Sequence, residues 1–389
     1  MRSKLIPAAI ALPLILLAAC NRNDPDNDTA QVTQAPDSNG ADSMASNDQA
    51  TADAGEGAIL DAGARTIMQA QVVLDRLGFS SGVIDGKQSM RFTNALHGFQ
   101  EAQGLPVTGE LDDATRQAMV RWNTIPATRL VTIPASWGQM VFTPIPEGAP
   151  EQAKMAHLGY ESMAEALAER FHTTPEVLAQ LNRAAAPAAP ANTPAPTSTA
   201  TPAGATPPPM AFAAGQEIRV PNVGGDRVTA SDVDDSDWLA TMVSLGVGTD
   251  QPKAARIEVD KSDSWLKAFD EQGKLVAMFT VTTGSGHDPL PLGDWGINGV
   301  SHNPHFAYDP ELFWDVPDSA ESQQLPPGPN GSVGVVWIDL TKEHYGIHGT
   351  PAPETVGTAQ SHGCVRLTNW DAARLAEMVS GSTKVVFKE

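Results

Sequence analysis

The stretch Ser361-His362-Gly363-Cys364-Val365-Arg366-Leu367, preceded by Tyr345-Gly346-Ile347-His348-Gly349-Thr350, gathers a thiol, two imidazoles, a guanidinium and glycine amides in one short span. A thiol of ordinary pKa is mostly protonated at neutral pH, so nucleophilic work needs a nearby imidazole or a positive field to generate thiolate. Cys364 is the candidate nucleophile and His348 the candidate base. Small residues beside the thiol let a substrate carbonyl approach the main chain, where the amides of Gly363 and Cys364 can hydrogen-bond an oxyanion. The pattern is that of a cysteine enzyme acting on a carbonyl.

These residues need a sheet to position them. From Ala255 onward β-branched and apolar residues take over. Ile257 to Val259, Trp265 to Phe269 and Leu275 to Val281, with a Gln272-Gly273 turn, read as hairpin strands. Val333 to Leu340 and Tyr345 to His348 add two strands, Asp371 to Val379 an amphipathic helix, and Lys384 to Phe387 a closing strand. A mostly β unit over 255–389 is the expectation. His302 and His305 fall in an Asn/Pro-rich loop expected to line a substrate-side lid, with plain solvent exposure as the other reading. The histidines lack ligand-like partners, so neither a metal nor another cofactor is expected.

With these residues in view, His348-Gly349-Thr350, a spacer and Ser361 to Leu367 resemble the signature of the L,D-transpeptidases, the YkuD-type peptidoglycan cross-linking enzymes. The likeness runs from about Arg256 to the C-terminus and includes Pro291 to Ile297. It implies a β-sandwich with nucleophile and base meeting at one end. It also implies a reaction: Cys364 attacks the amide between the L- and D-centres of a tetrapeptide stem, releases the terminal D-amino acid and passes the thioester-bound acyl group to an amine. An L,D-carboxypeptidase using water, a lipoprotein-to-peptidoglycan ligase and a non-catalytic wall anchor are the alternatives. Arg366 offers a fork for a stem carboxylate or for a structural ion pair. Gly349 and Ser361 join it as expected substrate-binding positions. His362 either orients the loop, donates to the oxyanion, or only stabilises the loop through a hydrogen bond.

Upstream, Ile67, Ala70, Leu74 and Leu77 share one helical face, and Phe92, Ala95, Leu96 and Phe99 another, which predicts a small helical domain over 59–123. With Gly78 to Gly86 between these helices and Gly104 to Asp112 after them, it resembles the three-helix peptidoglycan-binding domain. Gly159 to His172 and Thr174 to Asn182 predict two helices joined by a turn. Together with Ala214 to Pro221 they are similar to a LysM carbohydrate-binding module, an α+β segment over 124–222 split by an Ala/Pro/Thr insert at 183–211. A spacer holding fragments of structure is the alternative there. Residues 223–254 read as a linker.

At the N-terminus, Arg2 and Lys4 precede an apolar run from Leu5 to Leu17 that reads as a secretory signal, too short to span a bilayer. Its last residues, Leu17-Ala18-Ala19-Cys20, resemble a bacterial lipobox, implying lipidation of Cys20 and a membrane anchor; ordinary cleavage beside an incidental cysteine is the plain alternative. Asn21 after that cysteine points to the outer membrane, on the periplasmic side. Residues 21–58, rich in Asp, Asn, Ala, Ser and Thr without an aromatic, predict a disordered tether. With only two cysteines and Cys20 assigned to lipid, Cys364 is left a free thiol, explained by reactivity rather than packing in an oxidising compartment. A formal charge of −21 argues against nucleic acid as a partner and is compatible with peptidoglycan stem peptides and glycan.

Overall fold

The computed structural model describes residues 62–183, 210–314, 316 and 319–389. The expected signal with Cys20, the tether over 21–58 and most of the 183–211 insert lie outside the described residues.

The first module comprises helix α1 (Ala62–Arg76), strand β1 (Phe79–Ser80), helix α2 (Met90–Ala102) and helix α3 (Asp113–Met119). Ser89 and Asp112 cap the two later helices, accepting from Phe92 N at 3.3 Å and Thr115 N at 2.8 Å, which satisfies amides the helices leave open. The two apolar faces expected from spacing meet in one cluster. Helix α1 is apolar on a second face as well: Met68 and Val72 enter the core of the next module.

That module runs β2 (Thr128–Thr132), α4 (Met163–Arg170), α5 (Pro175–Arg183), β3 (Glu217–Pro221). The strands pair antiparallel from Thr128 opposite Pro221 to Thr132 opposite Glu217. Leu167, Phe171, Leu178 and Leu181 of the helical pair cover Ile218 and Val220. The two-helix expectation therefore holds, inside a βααβ unit closed across the insert.

Residues 223–254, expected as a linker, contain helix α6 (Ser236–Leu245), capped by Asp235 and ended by Gly246 at φ 71°. Its Trp238, Met242 and Leu245 are buried in the C-terminal core. The helix is short, so its apolar spacing is too brief to separate it from a linker by sequence.

The C-terminal unit has β4 (Arg256–Asp260), β5 (Trp265–Phe269), β6 (Leu275–Thr280), β7 (Gly293–Trp295), β8 (Ile297–His302), β9 (Phe306–Tyr308), β10 (Gln323–Leu325), β11 (Val336–Leu340), β12 (Gly346–His348), β13 (Val365–Arg366), α7 (Asn369–Met378) and β14 (Lys384–Lys388). Six strands in the order β1-β6-β5-β4-β14-β7 form one sheet and four in the order β13-β12-β11-β8 another. Their inner faces share a single core with α7, including Ile257, Leu266, Phe279, Ile338, Ile347 and Trp370. The opposite face of the larger sheet is not left to solvent. By the two-residue alternation of strands, Trp265, Phe269 and Met278 point outward and join the core of the helical module, and a register shift between β5 and β6 at Phe269 and Leu275 turns Leu275 to the same side. Strand β1 extends the same sheet, with Phe79 opposite Met278.

A buried ionic knot joins all three modules. Arg374 of α7 donates to Asp75 of α1 at 2.9 and 3.4 Å, and His172, at the turn after α4, meets the same carboxylate at 3.2 Å. Burial alone would raise the Asp75 carboxyl, but Arg374 and His172 hold it well below the usual range. His172 takes φ 53°, a left-handed conformation that glycine usually fills at a helix end. Its ring stacks on Trp370 at 4.7 Å, so the strained backbone serves that side-chain position.

Two expectations about stability follow. The three described modules share cores, so differential scanning calorimetry should find one cooperative transition; separate transitions for the helical and C-terminal modules would contradict the shared cores. Arg374→Ala leaves Asp75 without its main counter-charge and should cost about 3–5 kcal/mol in urea unfolding.

Candidate active site

The site grows out of one strand pairing. Strands β12 and β13 run parallel, with Ile347 opposite Val365 and His348 opposite Arg366. Ile347 and Val365 are fully buried and face the core. Strand alternation then turns His348, Arg366 and Cys364, one residue before β13, to the other side. All three line a cavity of about 620 Å³. Strand β13 is pinned at the sheet end by Thr282, whose N donates to Arg366 O at 3.0 Å while Arg366 N donates to Thr282 O at 2.8 Å.

Two contacts fix His348. Its Nδ1 lies 2.6 Å from Gly349 O, which can only accept, so Nδ1 carries the proton and Nε2 keeps a free lone pair. Trp337, its partner across β11 and β12, stacks on the ring at 5.5 Å. Burial pushes the imidazole down to about 3, helped by the positive charge of Arg366. Burial pushes the Cys364 thiol up, against the opposing pull of the Gly346 amide and Arg366. An ionised thiolate beside the imidazole was the expectation; burial instead favours the neutral form of each, the imidazole covered and the thiol half-buried with its sulfur 3.8 Å from His344 O.

Gly363 sits at φ 99°, and a β-carbon there would come within 2.6 Å of the Tyr345 ring, so both backbone and space demand glycine. Tyr345 lines the cavity and its hydroxyl is raised, first by burial and then by Cys364. The Phe313 ring meets His362 edge-on at 5.0 Å, and Trp314 stacks on His287 at 4.5 Å. Phe313 and His362 line the cavity together with β9 and Glu311 and Leu312 of the turn Pro310–Leu312.

Gly349 and Ser361, expected to bind substrate, do not line the cavity. Gly349 is covered by the Asn369 side chain. Ser361 is buried, and its hydroxyl donates to Cys364 O at 2.6 Å, tightening the turn that presents the sulfur. His302 and His305 also lie away from it: His302 stacks on Trp238 at 4.2 Å and is an element of packing rather than of a lid. Tyr345, Trp337 and Phe313 were not singled out from sequence. Trp337 had a signal, since its place in the strand preceding His348 puts it opposite that residue in a hairpin. Phe313 had none, because a long irregular segment separates it from the site.

Residues 254–387 match the family model described as "L,D-transpeptidase catalytic domain" (YkuD), and residues 65–119 that described as "Putative peptidoglycan binding domain". The C-terminal unit is thus a YkuD-type domain, and the helical module a domain of the peptidoglycan-binding type. Similar curated proteins include the "Putative L,D-transpeptidase YkuD" of Bacillus licheniformis, 48% identical over 15% of this chain and 36% of that protein. Another is the "Probable L,D-transpeptidase YbiS" of Escherichia coli, 41% identical over 16% of this chain and 20% of that protein. The chain spans about a third of the length of the Bacillus YkuD proteins it matches, 36% and 35%. Among solved structures, the catalytic domain of an E. faecium L,D-transpeptidase aligns with 36% of this chain and 99% of its own at 19% identity and a TM-score of 0.27.

The protonation states are directly measurable. Cys364 thiolate absorbance should develop above the ordinary thiol range. In NMR the His348 ring should remain neutral through mildly acid pH, protonating only near about 3. The unfolded imidazole takes a proton near its ordinary value of 6.5 while the folded one does not, so His348 costs stability as pH falls below that value. A thiolate already formed at neutral pH would refute the neutral-pair assignment.

Proposed function

We propose that this protein is a peptidoglycan L,D-transpeptidase. The observation that carries the reading is the β12–β13 register, which sets Cys364, His348 and Arg366 on one face of a single cavity in a YkuD-type domain. As the Cys364 sulfur bonds to the carbonyl carbon between the L- and D-centres of a tetrapeptide stem, His348 Nε2 takes the thiol proton. Proton transfer during attack suits a pair that is neutral at rest. The amides of Gly363 and Cys364 hold the oxyanion. Collapse breaks the amide bond, and the imidazolium gives its proton to the departing amine of the terminal D-amino acid. An acceptor amine on another stem then attacks the thioester, His348 takes its proton, and the sulfur leaves as thiol.

Arg366 is the group for a stem carboxylate. It lines the cavity and no salt bridge engages it among the described residues, which leaves its fork available there. His362, edge-on to Phe313, orients the wall beside the sulfur. The βααβ order of the second module supports a LysM-like role in holding glycan, and the peptidoglycan-binding type of the helical module supports a wall partner. Lipidation at Cys20 would hold these modules at the outer membrane on the periplasmic side, the tether setting their reach.

Purified sacculi test the activity. Wild type should increase cross-linked muropeptide dimers and Cys364→Ala should not. Identical profiles would favour an inert anchor, and tripeptides without dimers would make the protein an L,D-carboxypeptidase. His348→Ala should lower turnover by about 10²–10⁴-fold, the usual worth of a positioned acid-base group.

A further inference from the structure

His348 is aimed by what holds its neighbour. Its Nδ1 proton rests on Gly349 O at 2.6 Å, so the placement of that peptide sets the tautomer and the orientation of the ring. Gly349 is held in turn by Asn369. A β-carbon at either Gly349 or Gly334 would collide with Asn369 Oδ1, so the carboxamide lies directly against both glycines. Asn369 is fully buried, and its Oδ1 also accepts from Val335 N at 3.2 Å. Its Nδ2 donates to Pro329 O at 3.0 Å and to Glu169 Oε1 at 2.6 Å. Glu169 belongs to α4 of the βααβ unit, not to the YkuD-type domain.

We propose that Glu169 is a positioning residue for His348, acting through Asn369, so that the βααβ unit completes the catalytic base of its neighbour. A buried carboxamide has two donors and one acceptor oxygen to satisfy. Here both donors are engaged, one by Pro329 O and one by Glu169, and this fixes the oxygen against the glycines. Without an acceptor at 169, one N–H is orphaned in the interior, or the amide flips and sets its NH2 against the Val335 N–H it now accepts from. Either way the peptide that orients His348 loses its backing. Glu169 keeps an acceptor oxygen whether ionised or protonated, and Tyr160 hydrogen-bonds it from the same unit. The inference rests on reading His348 and Cys364 as base and nucleophile.

The full chain tests it without needing a wall substrate. Alkylation by iodoacetamide, followed on the Cys364 peptide by mass spectrometry from neutral to alkaline pH, reports base-assisted attack at neutral pH and free thiolate at alkaline pH. Glu169→Ala, and Glu169→Leu to keep the space filled should the alanine variant unfold, should lose about tenfold in the neutral-pH rate, a modest part of what a positioned base supplies. They should keep the alkaline rate and lose the downfield His348 Nδ1 proton resonance. Glu169→Gln, which retains an acceptor oxygen, should restore both readouts. Wild-type rates and resonance in a folded Ala or Leu variant would overturn the proposal, as would a Gln variant as slow as Ala. His348→Ala separates the two ideas. If it leaves the neutral-pH rate unchanged, the base reading itself fails; if it lowers that rate while the Glu169 variants do not, only the positioning role fails.

Discussion

The parallel pairing of two very short strands is the constraint on which the rest of the C-terminal unit turns. With Ile347 opposite Val365 and both in the core, the residues on the other side of the pair are determined: His348, Arg366 and Cys364. A slip of one residue would exchange the buried and cavity-facing sets, since strand side chains alternate. That register is over-determined. Thr282 bridges β13 from the larger sheet, Trp337 pairs with His348 across β11, and the Ser361 hydroxyl closes the turn onto Cys364 O. The framework of the site is sheet, and the aromatic wall beside it comes from β9 and the turn that follows.

The modules are less separable than their sequence boundaries suggest. Helix α1 gives one apolar face to the outer side of the larger sheet and another to the βααβ unit, and β1 is a strand of that sheet. The Asp75, His172 and Arg374 contact ties one residue from each module in a buried site where removing Asp75 or Arg374 leaves the other's charge unpaired. In the proposed reaction this means that wall-binding elements and chemistry move as one body. The hydrogen-bond chain from Glu169 through Asn369 runs along the same junction, which gives the second module a path to the base.

The electrostatics of the pair follow from burial. Desolvation opposes charge on both the thiol and the imidazole, so each stays neutral although Arg366 would favour a thiolate. A neutral pair limits adventitious alkylation and oxidation of a free thiol, which depend on thiolate character, and reserves proton transfer for the moment of attack.

By itself the sequence determined the candidate residues for the chemistry and most of the strands and helices. The thiol, imidazole and glycine spacing near Cys364 is local, and period-two and helical patterns are written within single elements such as β5 and α2. It did not determine that 223–254 holds a helix of the core, that Gly349 and Ser361 serve the loop rather than the cavity, or that His302 stacks on Trp238. Each of those depends on what a distant segment places against the residue. The protonation state of Cys364 and His348 was likewise decided only by the tertiary structure, because it is set by how completely water is removed, and no spacing along the chain records that.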